Sequence, residues 1–160
     1  MTISREKLFS LGELFKAFKT NKNKKFQYMV LKNEKTIENE LNIFKEMVKF
    51  DREAEKLEFE NKRMTLIEKY CNKNEDGTLK TKENRMYDID DETIPLFNAD
   101  FDVIVAEFKD MLDALDANNA KAIELAKEEI EVDLYKIGFD DLPEDVDKEE
   151  LEYLMLVVKD

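Results

Sequence analysis

The feature that most constrains the fold is a stretch of 48 residues, 24–71, that contains neither glycine nor proline. Apolar residues recur along it at three- and four-residue steps, which is the spacing of one face of an α-helix. At about 1.5 Å per residue such a helix is roughly 70 Å long, and a helix of this length needs a partner for its apolar stripe. We therefore expect it to pack against an antiparallel neighbour or a second chain.

The apolar stripe of this long helix has two parts. The first part comprises Phe26, Val30, Asn33, Ile37, Leu41, Phe44 and Val48. The stripe shifts near Asp51, and the second part comprises Phe50, Ala54, Leu57, Asn61, Met64, Ile67 and Cys71. We expect both parts to lie on one continuous helix and to face its partner.

A second long helix is predicted over residues 93–129, with Pro95 tolerated in its first turn. Its stripe comprises Phe101, Ile104, Val105, Phe108, Leu112, Leu115, Ala122 and Leu125. Short helices are predicted over residues 4–19 and 147–158. The last helix begins with a capping box of Asp147 and Glu150, and its wide apolar stripe indicates that it docks on the body of the protein.

Residues 72–91, between the two long helices, have the pattern of a turn or β-hairpin around Asp76-Gly77. A strand is predicted over residues 130–137, where apolar and polar residues alternate, and we expect it to pair with this hairpin. The prediction for residues 1–160 is therefore a single, elongated, mainly α domain. It contains a long antiparallel, coiled-coil-like helical hairpin, a small β element at one end and short terminal helices.

Composition excludes several kinds of chemistry. The chain has no histidine, no tryptophan and one cysteine, and its three glycines are isolated. These counts remove imidazole-based catalysis, Cys/His zinc sites, disulfide frameworks and glycine-rich phosphate loops. We expect no enzyme activity and no cofactor. No apolar run reaches membrane length and no leader pattern is present, so we expect a soluble, unprocessed protein without a membrane partner.

One loop matches the spacing of an EF-hand calcium site. Its candidate ligands are Asn72, Asn74, Asp76, the carbonyl of Thr78, and Glu83. Only two of these residues carry negative charge, and three lysines lie within the same loop: Lys73, Lys80 and Lys82. The favoured interpretation is a plain Asp-Gly hairpin turn without a metal, and calcium binding is the alternative.

Charge is divided unevenly along the chain. Lysine and arginine number 26 against 39 aspartates and glutamates, for a net charge of −13. Residues 1–80 carry +4 and residues 81–160 carry −17. Because so acidic a half repels phosphate, we expect no direct nucleic-acid binding. The candidate partner-binding residues are Asp110, Asp113 and Asp116, on the polar side of the second long helix. The alternative interpretation is that these aspartates form an ordinary solvent-exposed face of the helix and bind no partner.

Four short motifs share their order and spacing with a known family. They are Lys25-Phe26-Gln27-Tyr28 with Val30-Leu31-Lys32-Asn33, Glu68-Lys69-Tyr70 before Asn74-Glu75-Asp76-Gly77, Glu128-Glu129-Ile130-Glu131-Val132, and Leu142-Pro143 before a short apolar helix. Over residues 8–156 the chain resembles a family of small, uncharacterised siphovirus and prophage accessory proteins. The resemblance brings no catalytic residues and no settled activity. It implies a phage-encoded protein that is located in the cytoplasm of the host bacterium, and association with virions is an alternative that the resemblance also allows.

These observations lead to two functional hypotheses. The first is a non-enzymatic accessory protein that binds a phage or host protein, or a second copy of itself, in a structural or assembly role. The alternative is an acidic DNA mimic that inhibits a host DNA-binding or defence enzyme, because carboxylates along a helix can imitate the phosphates of DNA.

Overall fold

The structure is a computed structural model that describes residues 1–159, and these group into two compact units. Unit 1 comprises residues 1–49 together with the described residues from 119 onward, and unit 2 comprises residues 50–118. The elements in chain order are β1 (Thr2–Ser4), α1 (Arg5–Ala17), α2 (Lys24–Met47), α3 (Glu53–Tyr70), α4 (Ile94–Glu107), α5 (Lys109–Lys127), β2 (Glu129–Glu131) and α6 (Lys148–Leu154). The chain is mainly helical, as its periodicity predicts.

The predicted continuous helix over residues 24–71 is interrupted, because α2 ends at Met47 and α3 begins at Glu53. The interruption lies where the apolar stripe shifts. A stripe that changes phase cannot face one core along a straight helix, so each part serves the core of its own unit. The predicted helix over residues 93–129 is divided more lightly, at Phe108 alone. Its N–H still donates to the Ile104 carbonyl at 3.1 Å, and its carbonyl accepts from the Leu112 N–H at 3.0 Å.

Unit 1 is built on the antiparallel pair of α1 and α2. Phe9 meets Phe44 edge to face with 5.4 Å between ring centroids, and Phe18 meets Phe26 in the same way at 5.6 Å. The first part of the apolar stripe is confirmed from Phe26 to Ile37, where Phe26, Val30, Asn33 and Ile37 are buried, and its last three residues, Leu41, Phe44 and Val48, are half-buried. Asn23 caps α2, since its side-chain oxygen accepts from the Lys25 and Phe26 N–H groups.

Arg5 is a buried cation at the start of α1. Its Nε donates to Glu40 on α2 at 2.7 Å, and its guanidinium also donates to the Glu128 carboxylate at 2.8 Å and to the Leu125 carbonyl at 3.1 Å. Hydrogen bonding with Glu40 raises the pKa of Arg5 above its ordinary value. One residue therefore joins the start of the chain to α2 and to the end of α5.

The predicted strand over residues 130–137 is wrong in extent and in partner. Only Glu129–Glu131 forms a strand, and it pairs antiparallel with β1, Ile3 opposite Ile130, rather than with the hairpin. The residues that follow are held by other means. The buried amide of Asn33 donates to the Tyr135 carbonyl at 3.0 Å and accepts from the Tyr135 N–H at 2.7 Å. A side chain of α2 thus replaces the neighbouring strand.

The C-terminal helix is confirmed as a docked element. Asp147 and Glu150 form the capping box, in which each side chain accepts from the backbone N–H of the other. The α-helix ends at Leu154, and a 3₁₀ turn over Met155–Val157 replaces the rest of the predicted helix. Leu154 and Val157 have no solvent exposure and lie in the core of unit 1.

Unit 2 contains an antiparallel helical hairpin, formed by α3 and α4, so the predicted hairpin is present over this part of its length only. The rest of that prediction is wrong, because α2 packs mainly against α1. Phe59 meets Phe108 at 5.7 Å and Tyr70 meets Phe97 at 5.9 Å, so α3 and α4 run in opposite directions.

The second part of the predicted stripe is confirmed at Phe50, Ile67 and Cys71, which are buried. It is wrong in the middle, where Leu57 is 63% exposed and Phe59 is buried instead. Phe59 has the larger apolar surface and contacts the rings of Phe101 and Phe108, which decides the face of α3 that is buried. No helix among residues 1–159 is both long and apolar enough to cross a membrane.

Gly12 marks a close approach of α1 to α2, and its replacement tests that contact. A Cβ at this position would lie 2.9 Å from Cγ2 of Ile37. This methyl group cannot easily move away, because the side chain of isoleucine is branched at Cβ and its χ1 angle is restricted in a helix. Alanine improves helix propensity by about 1 kcal/mol, but overpacking costs about 1–3 kcal/mol. We expect Gly12→Ala to lower the free energy of unfolding by about 1 kcal/mol in urea denaturation.

Gly138→Ala is the matched control, because a Cβ there meets its nearest atom at an ordinary 3.6 Å. Its stability should equal that of the parent. Combining Gly12→Ala with Ile37→Ala should cost less than the sum of the two single changes, since the clash is removed. An additive double variant, or a Gly12→Ala variant more stable than the parent, would show that the helices do not press together here.

Candidate interaction surface

Helix α4 differs from the other helices in its composition. Ten of its fourteen residues are apolar, none is basic, and none is fully buried. A helix that is apolar around most of its circumference is normally enclosed by protein. This helix has one side packed within unit 2 and an opposite side that is exposed.

The packed side of α4 completes the core of unit 2. Phe97 stacks on Phe101 with 6.0 Å between nearly parallel rings, and Phe101 also contacts the ring of Phe59. Ile104 and Val105 pack against the same cluster. Helical spacing assigned Phe101, Ile104 and Val105 to the core, and the prediction for these three is confirmed, whereas Phe97 was not part of the predicted stripe.

The opposite side of α4 carries an exposed apolar stripe. It comprises Leu96, Ala99, Val103 and Ala106, spaced by three and four residues, and all four are exposed. Leu96 is 60% exposed and Val103 is 68% exposed. The periodicity of a single apolar face does not reveal this stripe, because its residues lie outside the face that packs in the core of unit 2. The signal that identifies it is the high apolar content of α4, which exceeds what one face can use.

The predicted partner-binding aspartates continue the same stripe onto α5. Asp110 and Asp113 follow Ala106 at the same spacing of four and three residues, with Asp116 one further step along, and all three are exposed. Asp102 lies beside the stripe on α4 and is also exposed. We call the apolar stripe and these four aspartates the acidic–apolar face.

Two other carboxylates of α4, those of Asp100 and Glu107, hold α4 against α3. Asp100 accepts from Lys69 Nζ and from the Tyr70 hydroxyl, each at 2.8 Å. These bonds, with that from Lys69 the larger cause, lower the pKa of Asp100. Glu107 pairs with Lys62, and this hydrogen bond raises the pKa of Lys62. On α5, Lys109 donates to Asp113 at 2.6 Å, which raises the pKa of Lys109.

The candidate calcium loop forms a hairpin turn. Lys73 pairs with Leu79 across it, and Gly77 has the positive φ of 82° that such a turn requires. Asp76 Oδ1 accepts from the N–H and the hydroxyl of Thr78, whose side chain contributes most to lowering the pKa of Asp76. The Asn74 amide also donates to the Thr78 hydroxyl at 2.9 Å.

The remaining candidate calcium ligands are Asn72 and Glu83, and neither belongs to the hairpin turn around Gly77. The Asn72 amide donates to Asp90 at 2.8 Å, and Glu83 is an exposed residue of a second turn, closed by the pairing of Thr81 with Tyr87. Within the described part of the chain, no group of three or more His, Cys, Asp or Glu side chains is arranged to hold a metal ion. The favoured interpretation of a turn agrees with this geometry.

A groove of about 380 Å³ lies between α1 and α2 in unit 1. Three lysines and three glutamates line it, together with Phe9, Ile37 and Leu41: the charged residues are Glu13, Lys16, Lys19, Glu34, Glu38 and Lys45. Because the positive and negative charges are equal in number, the groove has no net charge that would attract a charged ligand.

Comparisons of the chain with protein-family models, with curated proteins and with solved structures find no match. The resemblance to siphovirus and prophage proteins stays a prediction. The acidic–apolar face is the feature of unit 2 on which a function can be built.

The pKa of Asp100 provides a test of the contact between α3 and α4. Because its folded-state pKa lies below the ordinary 3.8, the carboxylate stabilises the fold above that pH. This stabilisation is lost as the pH falls through the folded-state pKa. In an NMR titration we expect Asp100 to titrate below 3.8 and Lys69→Met to raise its pKa more than Tyr70→Phe does. An Asp100 pKa unchanged by Lys69→Met would show that the ion pair does not hold α4.

Calcium addition tests the interpretation of the loop as a turn. A ligand that binds only the folded state stabilises it by RT ln(1 + [L]/Kd), which is about 2.7 kcal/mol at a hundredfold excess over Kd. We expect millimolar calcium to leave the melting temperature nearly unchanged, in the parent and equally in Glu83→Gln. A calcium-dependent rise in the parent that Glu83→Gln abolishes would establish an EF-hand-like site.

Proposed function

We propose that this protein is a non-enzymatic interaction protein whose acidic–apolar face binds a basic, amphipathic segment of a protein partner. The observation that carries the proposal is the exposed stripe of α4, with Leu96 60% and Val103 68% exposed. Isolated exposed apolar residues are common, but a continuous stripe with a charged border is typical of a protein-binding surface.

Charge determines the kind of partner. The stripe is bordered or continued by Asp102, Asp110, Asp113 and Asp116, and α4 has no basic residue. A second copy of α4 would bring aspartates together and be repelled. A helix with an apolar face and flanking lysines or arginines would bury Leu96 and Val103 and pair its charges with the aspartates. Self-association through this face is therefore disfavoured relative to binding of a different protein.

The biological setting is part of the proposal. The resemblance to siphovirus and prophage accessory proteins supports a phage-encoded role in the host bacterial cytoplasm or in virion assembly. The partner would then be a phage structural protein or a host protein with a basic helix.

The DNA mimic remains the second hypothesis, and the ion pairs weigh against it. A mimic needs carboxylates free to meet a basic groove. Asp100 and Glu107 pair with lysines of α3, and Glu128 pairs with Arg5. Three of the carboxylates that would imitate phosphates are thus engaged within the protein.

The test is quantitative affinity capture from host lysate and from phage-infected lysate, followed by mass spectrometry. The baits are the parent, a Leu96→Glu/Val103→Glu variant, and Ile43→Glu as matched control, since Ile43 is an apolar residue of α2 that is 53% exposed. All three should have the same circular dichroism spectrum, because the changed side chains are exposed. We expect a partner that the parent and Ile43→Glu retain and the face variant loses.

A second measurement examines the aspartates with the purified partner. We expect Asp110→Asn, Asp113→Asn and Asp116→Asn together to weaken binding more than any single change, with an affinity that falls as salt rises. Identical capture by all three baits would contradict the proposal. A captured DNA-binding enzyme whose labelled DNA is displaced by the parent, and not by the triple variant, would favour the mimic instead.

A further inference from the structure

Unit 1 carries a concentration of lysines around two exposed tyrosines. Tyr28, on the first turns of α2, is 48% exposed, and Tyr135, after β2, is 46% exposed. Their rings meet edge to face with centroids 5.3 Å apart and an interplanar angle of 84°. Rings in this arrangement do not stack on each other, so aromatic surface stays open to a ligand.

Two adjoining cavities flank these rings. Their volumes are about 360 and 400 Å³, and both are lined by Tyr135, Lys136 and Lys159. Lys24 and Lys25 line the first cavity beside Tyr28, and Lys32 lines the second. We call the two tyrosines and five lysines the tyrosine–lysine patch.

The patch is positive although the protein is acidic. Its five lysines face two aspartates in the same cavities, Asp133 and Asp141, which leaves a local charge of about +3. Lys25 pairs with Asp141 at 3.1 Å, and none of the other four lysines forms an ion pair within residues 1–159. Lys32 Nζ lies 5.5 Å from the centre of the Tyr28 ring.

The backbone that carries the patch is fixed. Asn33 is only 1% exposed, and its amide holds both polar groups of the Tyr135 backbone. Two residues on, the Ile137 N–H donates to Val157 at 2.9 Å, and its carbonyl accepts from the Lys159 N–H at 2.8 Å. The side chains of Tyr135, Lys136 and Lys159 therefore start from positions set by buried hydrogen bonds, which lowers the entropy lost on binding.

Lysines along a track with exposed aromatic rings are the features with which proteins bind unpaired nucleic-acid strands. The rings stack with bases of any sequence, and the ammonium groups pair with phosphates. We propose that the tyrosine–lysine patch binds single-stranded nucleic acid, with bases on Tyr28 and Tyr135 and phosphates at the lysines. This activity is separate from the acidic–apolar face and stands or falls independently of it.

The net charge of −13 does not prevent such binding. At physiological ionic strength a charge acts over about 8 Å, so phosphates at the patch respond to the nearby lysines more than to distant carboxylates. The expectation from total charge that nucleic acid is repelled therefore does not extend to this surface. The acidic remainder opposes non-specific adhesion and confines binding to the patch.

The experiment measures the fluorescence anisotropy of labelled single strands of twelve deoxythymidines or twelve uridines against the full chain. With three to five phosphates neutralised, log affinity should fall against log salt with a slope of about −2 to −3.5. The deoxythymidine and uridine arms distinguish DNA from RNA as the source of the strand. Because the chain has no tryptophan, quenching of tyrosine fluorescence gives a second readout of stacking.

Substitutions separate stacking from charge. Tyr28→Ala and Tyr135→Ala should each weaken binding about tenfold, and Tyr28→Phe and Tyr135→Phe should keep it, since only the ring stacks. Lys136→Glu/Lys159→Glu should abolish binding. Its charge-matched control is Lys7→Glu/Lys148→Glu, which changes two exposed lysines that line neither cavity and should bind as the parent does.

Four results would overturn the proposal. The first is no saturable binding of either strand at 50 mM salt, where the Debye length is roughly twice that at 0.15 M. The second is equal binding of a duplex of the same length, and the third is full affinity in both tyrosine-to-alanine variants. The fourth is displacement of the labelled strand by poly-glutamate as efficiently as by unlabelled strand. The last result would assign the patch to acidic polypeptides. Circular dichroism of each variant confirms that the fold is retained, and affinity that returns in the phenylalanine variants excludes a merely structural effect.

Discussion

The buried guanidinium of Arg5 is the interaction on which unit 1 depends. It lies at the first residue of α1 and binds Glu40 of α2, Glu128 after α5, and the Leu125 carbonyl. A buried ion pair of this kind need not add stability over apolar side chains, but losing one member leaves an uncompensated charge. Its role is to specify which segments meet. The pairing of β1 with β2 lies next to it, since the Arg5 N–H donates to the Glu128 carbonyl.

The acidic–apolar face and the tyrosine–lysine patch differ in which of their charged side chains form ion pairs within the protein. On α4, carboxylates such as Asp100 are engaged with lysines and the apolar stripe is left exposed, which produces a surface suited to an amphipathic protein segment. In unit 1, Asn33 fixes the backbone of Tyr135, and among the described residues Lys25 alone of the five lysines of the tyrosine–lysine patch forms an ion pair. In a chain with 41% charged residues, the two surfaces thus differ in which of their charges are already paired.

Much of the fold could be predicted from the sequence, because helix existence and type follow from periodicity. The apolar stripe from Phe26 to Ile37, the capping box at Asp147 and the turn at Gly77 are local patterns with local causes. The break between α2 and α3 was not predicted, because no glycine or proline marks it and a stripe shift such as the one near Asp51 can also occur along a continuous helix. The partner of β2 could not be predicted, because three residues at the start of the chain carry no pattern. Nor could the Tyr28–Tyr135 pair, which depends on a single buried amide.

The two units also differ in how they are threaded along the chain. Unit 2 is one continuous segment, whereas unit 1 is closed only when Glu129–Glu131 reaches β1 and Leu154 enters its core. Since a ribosome releases the chain from its N-terminus, α1 and α2 emerge first and must wait with their apolar faces uncovered. Unit 2 can complete its hairpin during that interval. The core of unit 1 can therefore be completed only after every residue of unit 2 has been synthesised, although its first two helices are made before unit 2.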